Sequence, residues 1–178
     1  MTSMPRLCVP LILAIAATGA WGQGAGPGDS HVAHIFVTAN EVDIEVGKLA
    51  RSKAQSDQVR QFAERMITDH TTAARSAAEL TQRLHIRLEP NPTSESLKRG
   101  RDATVAKLQT LSGAAFDKAY IDHEVGYHET VLSALDKTLI PGAKNAELKA
   151  LLVKARPVFE EHLNMAKQLQ SALSRSGA

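Results

Sequence analysis

Cysteine is almost missing from this chain. Cys8 is the only one in 178 residues, so no disulfide within the chain can form and stability has to come from packing. Aromatic residues are also scarce, at 4%, which leaves Ala, Leu, Val and Ile to build the core. The formal charge is only +2 and no block of Lys or Arg stands out, which excludes an electrostatic nucleic-acid binder. Beyond the first two dozen residues no apolar run is long enough to cross a bilayer. Strand-like alternation is absent as well, which argues against an outer-membrane barrel. There is no nucleophile elbow, phosphate-binding loop or catalytic cysteine, so the sequence assigns no catalytic residue.

What is present begins with Met1–Gly22, which reads as a secretory signal peptide. Arg6 supplies the positive start, Val9–Ala20 the short apolar run, and Ala20-Trp21-Gly22 the small residues of a cleavage site, with cleavage expected after Gly22 and, as second choice, after Ala20. Cys8 precedes the apolar run, a poor position for lipid attachment. The expected compartment is therefore periplasmic or secreted, with no transmembrane segment in the mature chain. Peripheral association with the envelope stays open, and no oligomeric state is assigned. Residues 23–30 read as a flexible Gly-rich leader, and 31–174 as one domain.

The domain reads as all-α. Four long segments carry an apolar stripe at helical spacing: His31–Ala54, from Ser56 or Asp57 to Leu84, Ala114–Thr138 and Ala146–Ser174. Ser30, Ser94 and Asn145 are the expected caps elsewhere. Glu89-Pro90-Asn91-Pro92 breaks the pattern, and Glu95–Leu111 reads as a shorter crossover helix. Pro157 lies on the side of the last helix opposite its stripe, where a kink costs least. The expected architecture is an up-down four-helix bundle with an extra crossover helix.

Each long helix places a ligand-type residue on its buried stripe near mid-length. These are Asp43, His70, the pair Glu124 and His128, and His162. Antiparallel helices of similar length bring their midpoints to one level, so the five side chains are expected to converge. Carboxylate oxygen and imidazole nitrogen suit a divalent metal ion, and bundle cores hold metals in this way. Its affinity would then fall as pH drops through the histidine range. The competing reading is a polar core in which acids and imidazoles satisfy one another, in a non-catalytic structural protein of the envelope. Asp69 falls at the margin of its stripe, and His31, His34, His85 and His123 fall outside the cluster. Tyr120 and Tyr127 read as core aromatics whose hydroxyls find polar partners. Met66 and Met165 read as packing residues.

The runs ANEVDI (39–44), FAERMITDHT (62–71), LSGAAFDKAY (111–120), LDKTLIP (135–141) and NAELKALL (145–152) resemble the bacterial secreted domain-of-unknown-function family 4142. The resemblance spans about residues 35–173. It implies a ferritin-like four-helix fold and an exported protein with an outer-membrane label, and it carries no established activity. The pattern departs from di-iron ferritins, which use Glu-x-x-His on two helices. The residues three before His70, His128 and His162 are Ile67, Val125 and Phe159. A single metal with a His-rich set of ligands is the expectation.

Overall fold

The computed structural model describes residues 28–176. The signal-peptide reading and residues 23–27 of the leader lie outside them. The order is α1 (Asp29–Lys53), α2 (Asp57–Arg83), α3 (Pro92–Gln109), α4 (Gly113–Ala134), a π-helical turn (Leu135–Leu139), the three-residue α5 (Ile140–Gly142) and α6 (Ala146–Ser176). No strand occurs among the described residues. The all-α reading holds.

The helix ends differ from expectation for identifiable reasons. Helix α1 starts at Asp29, so the leader stops at Gly28 and Ser30 is already helical. The Asp29 carboxylate accepts hydrogen bonds from the backbone N–H groups of Lys144 (2.7 Å) and Asn145 (3.0 Å), tying the start of α1 to the start of α6. Helix α3 begins at Pro92, because proline is tolerated in a first turn that needs no N–H donor. Its cap is Asn91. Asn91 Oδ1 accepts from Ser94 N at 3.0 Å, and Ser94 Oγ accepts from Asn91 N at 3.1 Å, a reciprocal capping box. Asn145 caps α6 as expected, accepting from Glu147 N and Leu148 N. Pro157 is exposed and α6 continues through it.

Two apolar clusters fill the bundle. One joins Val32, Phe36, Ala77, Leu80, Leu132, Leu135, Leu148, Leu152 and Phe159. The other joins Val46, Ala50, Val59, Phe62, Met66, Phe116, Tyr120, Ile121 and Ala166. The first therefore gathers the starts of α1 and α6 with the ends of α2 and α4, and the second gathers the opposite ends. Helices α1 and α6 run one way, α2 and α4 the other, and α3 is the crossover that returns the chain along α1. Lys53 Nζ fastens its far end by donating to Gln109 O at 2.8 Å. A carboxylate on α4 closes the α1–α2 turn: Asp117 accepts from Gln55 N at 3.0 Å and Ser56 N at 2.7 Å.

Helices α1 and α2 approach closely at Gly47, one turn beyond Asp43. A Cβ there would lie 3.1 Å from Ile67 Cγ1 and 3.4 Å from Ala63 O. Gly47→Val therefore forces the helices apart, and the expected loss is about 1–3 kcal/mol in a denaturant melt.

Candidate metal centre

Between the two apolar clusters lies a polar layer. In α1, Asp43 falls between Phe36 and Val46; in α2, His70 falls between Met66 and Ala77. In α4, Glu124 and His128 fall between Ile121 and Leu132; in α6, His162 falls between Phe159 and Ala166. All five side chains are on the buried face, and none is more than 2% exposed. The shared level inferred from mid-helix positions is the observed one.

Three imidazoles form a near-equilateral triangle. Ring centroids are 5.5 Å apart for His70 and His128, 5.1 Å for His70 and His162, and 5.4 Å for His128 and His162. One ring nitrogen from each lies within 4.8 Å of the other two. Asp43, Glu124 and His128 supply a second set of donor atoms within the same limit, so His128 belongs to both. Phe159 stacks on His70 at 4.9 Å and 12°. Its ring also lines a groove of about 580 Å³ between α2 and α6, shared with Phe36, Asp69 and Ala155. Phe159 thus separates the triangle from solvent on that side.

Hydrogen bonds outside the cluster set which nitrogen of each ring faces inward. Asn40 Nδ2 donates to the Phe36 carbonyl at 2.7 Å, which fixes the amide and turns Oδ1 toward His70 Nδ1 at 2.9 Å. An amide oxygen only accepts, so His70 Nδ1 carries the proton. His128 Nδ1 donates to the Glu124 carbonyl at 3.0 Å. His162 Nε2 donates to Asp69 Oδ2 at 2.9 Å, and Asp69 is held in turn by Arg65, which also pairs with Glu161. The remaining nitrogens are His70 Nε2, His128 Nε2 and His162 Nδ1. Each is buried without a hydrogen-bond partner, as are both oxygens of Asp43 and of Glu124. Asp43 Oδ2 is 2.7 Å from His70 Nε2 and 3.5 Å from His128 Nε2, close charge contacts without a well-aligned hydrogen bond.

Apart from these charge contacts the seven atoms make no well-aligned hydrogen bond in a buried layer, which is costly unless something else satisfies them. The outer bonds match the way metal-bound imidazoles are held, with the far ring nitrogen donating to a carbonyl or carboxylate. Metal–nitrogen and metal–oxygen bonds of about 2.0–2.2 Å place donors on one ion roughly 3–4 Å apart, so small side-chain shifts bring these atoms to one centre. Each of the two sets offers donors that could hold a metal ion, imidazole nitrogen suiting the transition metals.

Charge is distributed unevenly over the cluster. Burial alone would raise the Asp43 carboxyl, but the His70 imidazole, and more weakly His128, hold it below the usual carboxylate range. Burial and then the Asp43 charge push Glu124 well above that range, which favours its neutral acid form. Burial lowers His128, with Asp43 opposing. Burial also lowers His162, to about 4, against the hydrogen bond to Asp69. Two of the three imidazoles therefore keep their lone pairs free at neutral pH.

Some neighbours escaped the sequence reading. Asn40 orients His70, yet nothing in its position but adjacency to the stripe marks it. Asp69, placed at the margin, is the partner of His162. Tyr127 finds a partner as expected, donating to the Ala39 carbonyl at 2.7 Å. The Tyr120 hydroxyl is fully buried and has the Glu124 carboxyl as its polar neighbour, without a well-aligned hydrogen bond between them. His123 is half-buried, stacked on Tyr127 at 5.6 Å. His34 is half-buried too, and His31 sits near Glu89. None of these three enters either donor set.

Neither a curated protein nor a solved structure matches the chain. A family model described as "Domain of unknown function (DUF4142)" matches residues 16–169. That span is most of the chain and contains all four long helices up to the last two turns of α6, with every residue of the polar layer. The chain belongs to the family DUF4142.

Proposed function

We propose that this protein binds one transition-metal ion at the centre of the bundle, through His70, His128 and His162 with Asp43 and Glu124. One observation carries the reading. Three imidazoles are each committed by an outer hydrogen bond to present the other ring nitrogen to one another and to two buried carboxyl groups. The ion supplies positive charge, which would draw the proton off Glu124 and bind the ring nitrogens. The chain's own residues do the rest: Asn40, the Glu124 carbonyl and Asp69 orient the rings, and Phe159 excludes water.

The signal-peptide pattern of Met1–Gly22 supports a place outside the cytoplasm, so the role proposed is metal handling or protection against oxidative stress in the envelope. Divalent ions of the Mn-to-Zn series are the candidates. A second reading is a structural envelope protein with a metal-free polar core. It is favoured by the 2.7 Å approach of Asp43 to His70, which a proton on Nε2 would turn into an ion pair.

Elemental analysis of untagged protein, followed by calorimetric titration of the stripped protein, separates the two. The metal reading expects about one ion per chain. It also expects stabilisation of about 2.7 kcal/mol when free ion is 100-fold above Kd. A chain that takes up no ion, with an unchanged melting temperature, supports the polar core.

A further inference from the structure

The Tyr120 hydroxyl is the polar atom of this layer that the five ligands leave unexplained. Its ring is fixed in the apolar cluster, 6.2 Å from Phe62 edge-on and 6.5 Å from Phe116 stacked. The side chain is 0% exposed, and the hydroxyl makes no well-aligned hydrogen bond, with the Glu124 carboxyl as its polar neighbour. Tyr120, Glu124 and His128 follow at intervals of four on one stripe of α4, so the phenol stands one turn from the Glu124 carboxyl, whose two oxygens also make no well-aligned hydrogen bond. A phenol buried beside a carboxyl is placed to donate to it, and a small movement of one partner would align that bond.

We infer that Tyr120 is a positioning residue for the bound ion, its hydroxyl donating to Glu124 when Glu124 turns one oxygen to the metal. The inference rests on the metal reading above. Glu124 has two oxygens, and an ion can take one while the other stays free to accept. The phenol is the donor within reach, and the packing of Phe62 and Phe116 holds it there. A donor on the outer oxygen fixes the carboxylate's rotamer and strengthens it as a ligand, the part that Asn40 and Asp69 play for His70 and His162. The oxygen side of the centre would then be oriented like the nitrogen side, from outside, by a group that never touches the ion.

The test uses Zn²⁺ as the probe, with affinity measured by competition against a chelating dye and stability by thermal melts of the metal-free chain. Tyr120→Phe keeps the ring and removes the donor. The expected result is a Zn²⁺ affinity about 10-fold lower or more, with a metal-free melting temperature unchanged or slightly raised. Leu148→Ala is the control, because it loosens the other apolar cluster and leaves Tyr120 and the rings packed on it in place. It should lower the melting temperature and keep the affinity within about twofold. Wild-type binding with Tyr120→Phe also within twofold overturns the role of Tyr120 and leaves the metal reading standing. Equal losses of affinity in both variants, tracking their loss of stability, overturn it too. A wild-type chain that takes up no Zn²⁺ overturns both.

Discussion

His128→Ala should lose metal binding more completely than any other single substitution in the chain, with affinity falling by at least about 100-fold. His128 is the one side chain common to the all-nitrogen set and to the set with Asp43 and Glu124. Its removal breaks both. Outer-sphere changes typically cost 10–100-fold, and the loss of a direct ligand has to exceed that. The variant also vacates a fully buried site, so part of its effect will be on folding, at about 1–3 kcal/mol from stranded neighbours. Affinity and melting temperature are therefore read together. His31→Ala is the companion, since His31 is on the surface near Glu89 and outside the cluster. It should keep affinity within about twofold. Equal affinities for the two variants would remove the polar layer from any role in binding.

Glu124→Gln should push stability and binding in opposite directions. In the metal-free chain, burial and the Asp43 charge hold Glu124 well above its ordinary range. A group whose folded pKa is raised contributes stability that is full below its unfolded value, near 4.5, and that is lost as pH rises through the folded value. At neutral pH the wild-type chain has lost part of that contribution. Glutamine has the same shape and no proton to lose, so the metal-free variant should melt a few degrees higher at pH 7, with the gap closing below pH 4.5. Metal binding should weaken by about 10-fold or more, because an amide is a poorer ligand than a carboxylate. Calorimetry in buffers of different ionisation enthalpy should show about one fewer proton released on binding. A variant less stable than wild type at pH 7 would contradict the assignment of Glu124 as a buried neutral acid.

Burial moves two of the three imidazoles below the ordinary histidine range. His162 keeps a free lone pair down to about pH 4 and His128 is lowered as well, both chiefly by burial. Glu124 is the group that competes with the ion at higher pH. For His162 the linkage has the opposite sign to Glu124. Its folded value is depressed from 6.5 to about 4, so metal-free stability is present above pH 6.5 and falls as pH drops toward 4, by up to about 3 kcal/mol.

Periodicity was enough to locate the four long helices and the residues on their buried faces. Asp43, His70, Glu124, His128 and His162 could be named because each interrupts an apolar stripe near mid-helix. Their convergence followed from antiparallel packing. What periodicity does not carry is rotation within the stripe and the choice of hydrogen-bond partner. Asp69 sits beside His70 in sequence but serves His162 on another helix, which only the α2–α6 contact reveals. Asn40 looks like an ordinary polar residue until its amide is seen fixed by Phe36 and turned to His70. Tyr120 was expected to have a partner because buried phenols usually do. Its polar neighbour is Glu124, one turn along the same stripe, and the alignment of the two is a side-chain detail that no stripe encodes. Helix ends failed for a similar reason: Asp29 is drawn to the Lys144–Asn145 backbone, a contact more than a hundred residues away in sequence.

The central claim is that one ion sits among these five side chains. The most direct measurement is anomalous diffraction at the metal's absorption edge, from crystals of the stripped protein reloaded with one equivalent of Zn²⁺. The account expects a single strong peak within bonding distance, about 2.0–2.2 Å, of His70 Nε2, His128 Nε2 and His162 Nδ1, with Asp43 and Glu124 oxygens completing the set. A peak elsewhere, such as at His31 and Glu89 on the surface, or an ordered polar layer with no peak in it, would contradict the account.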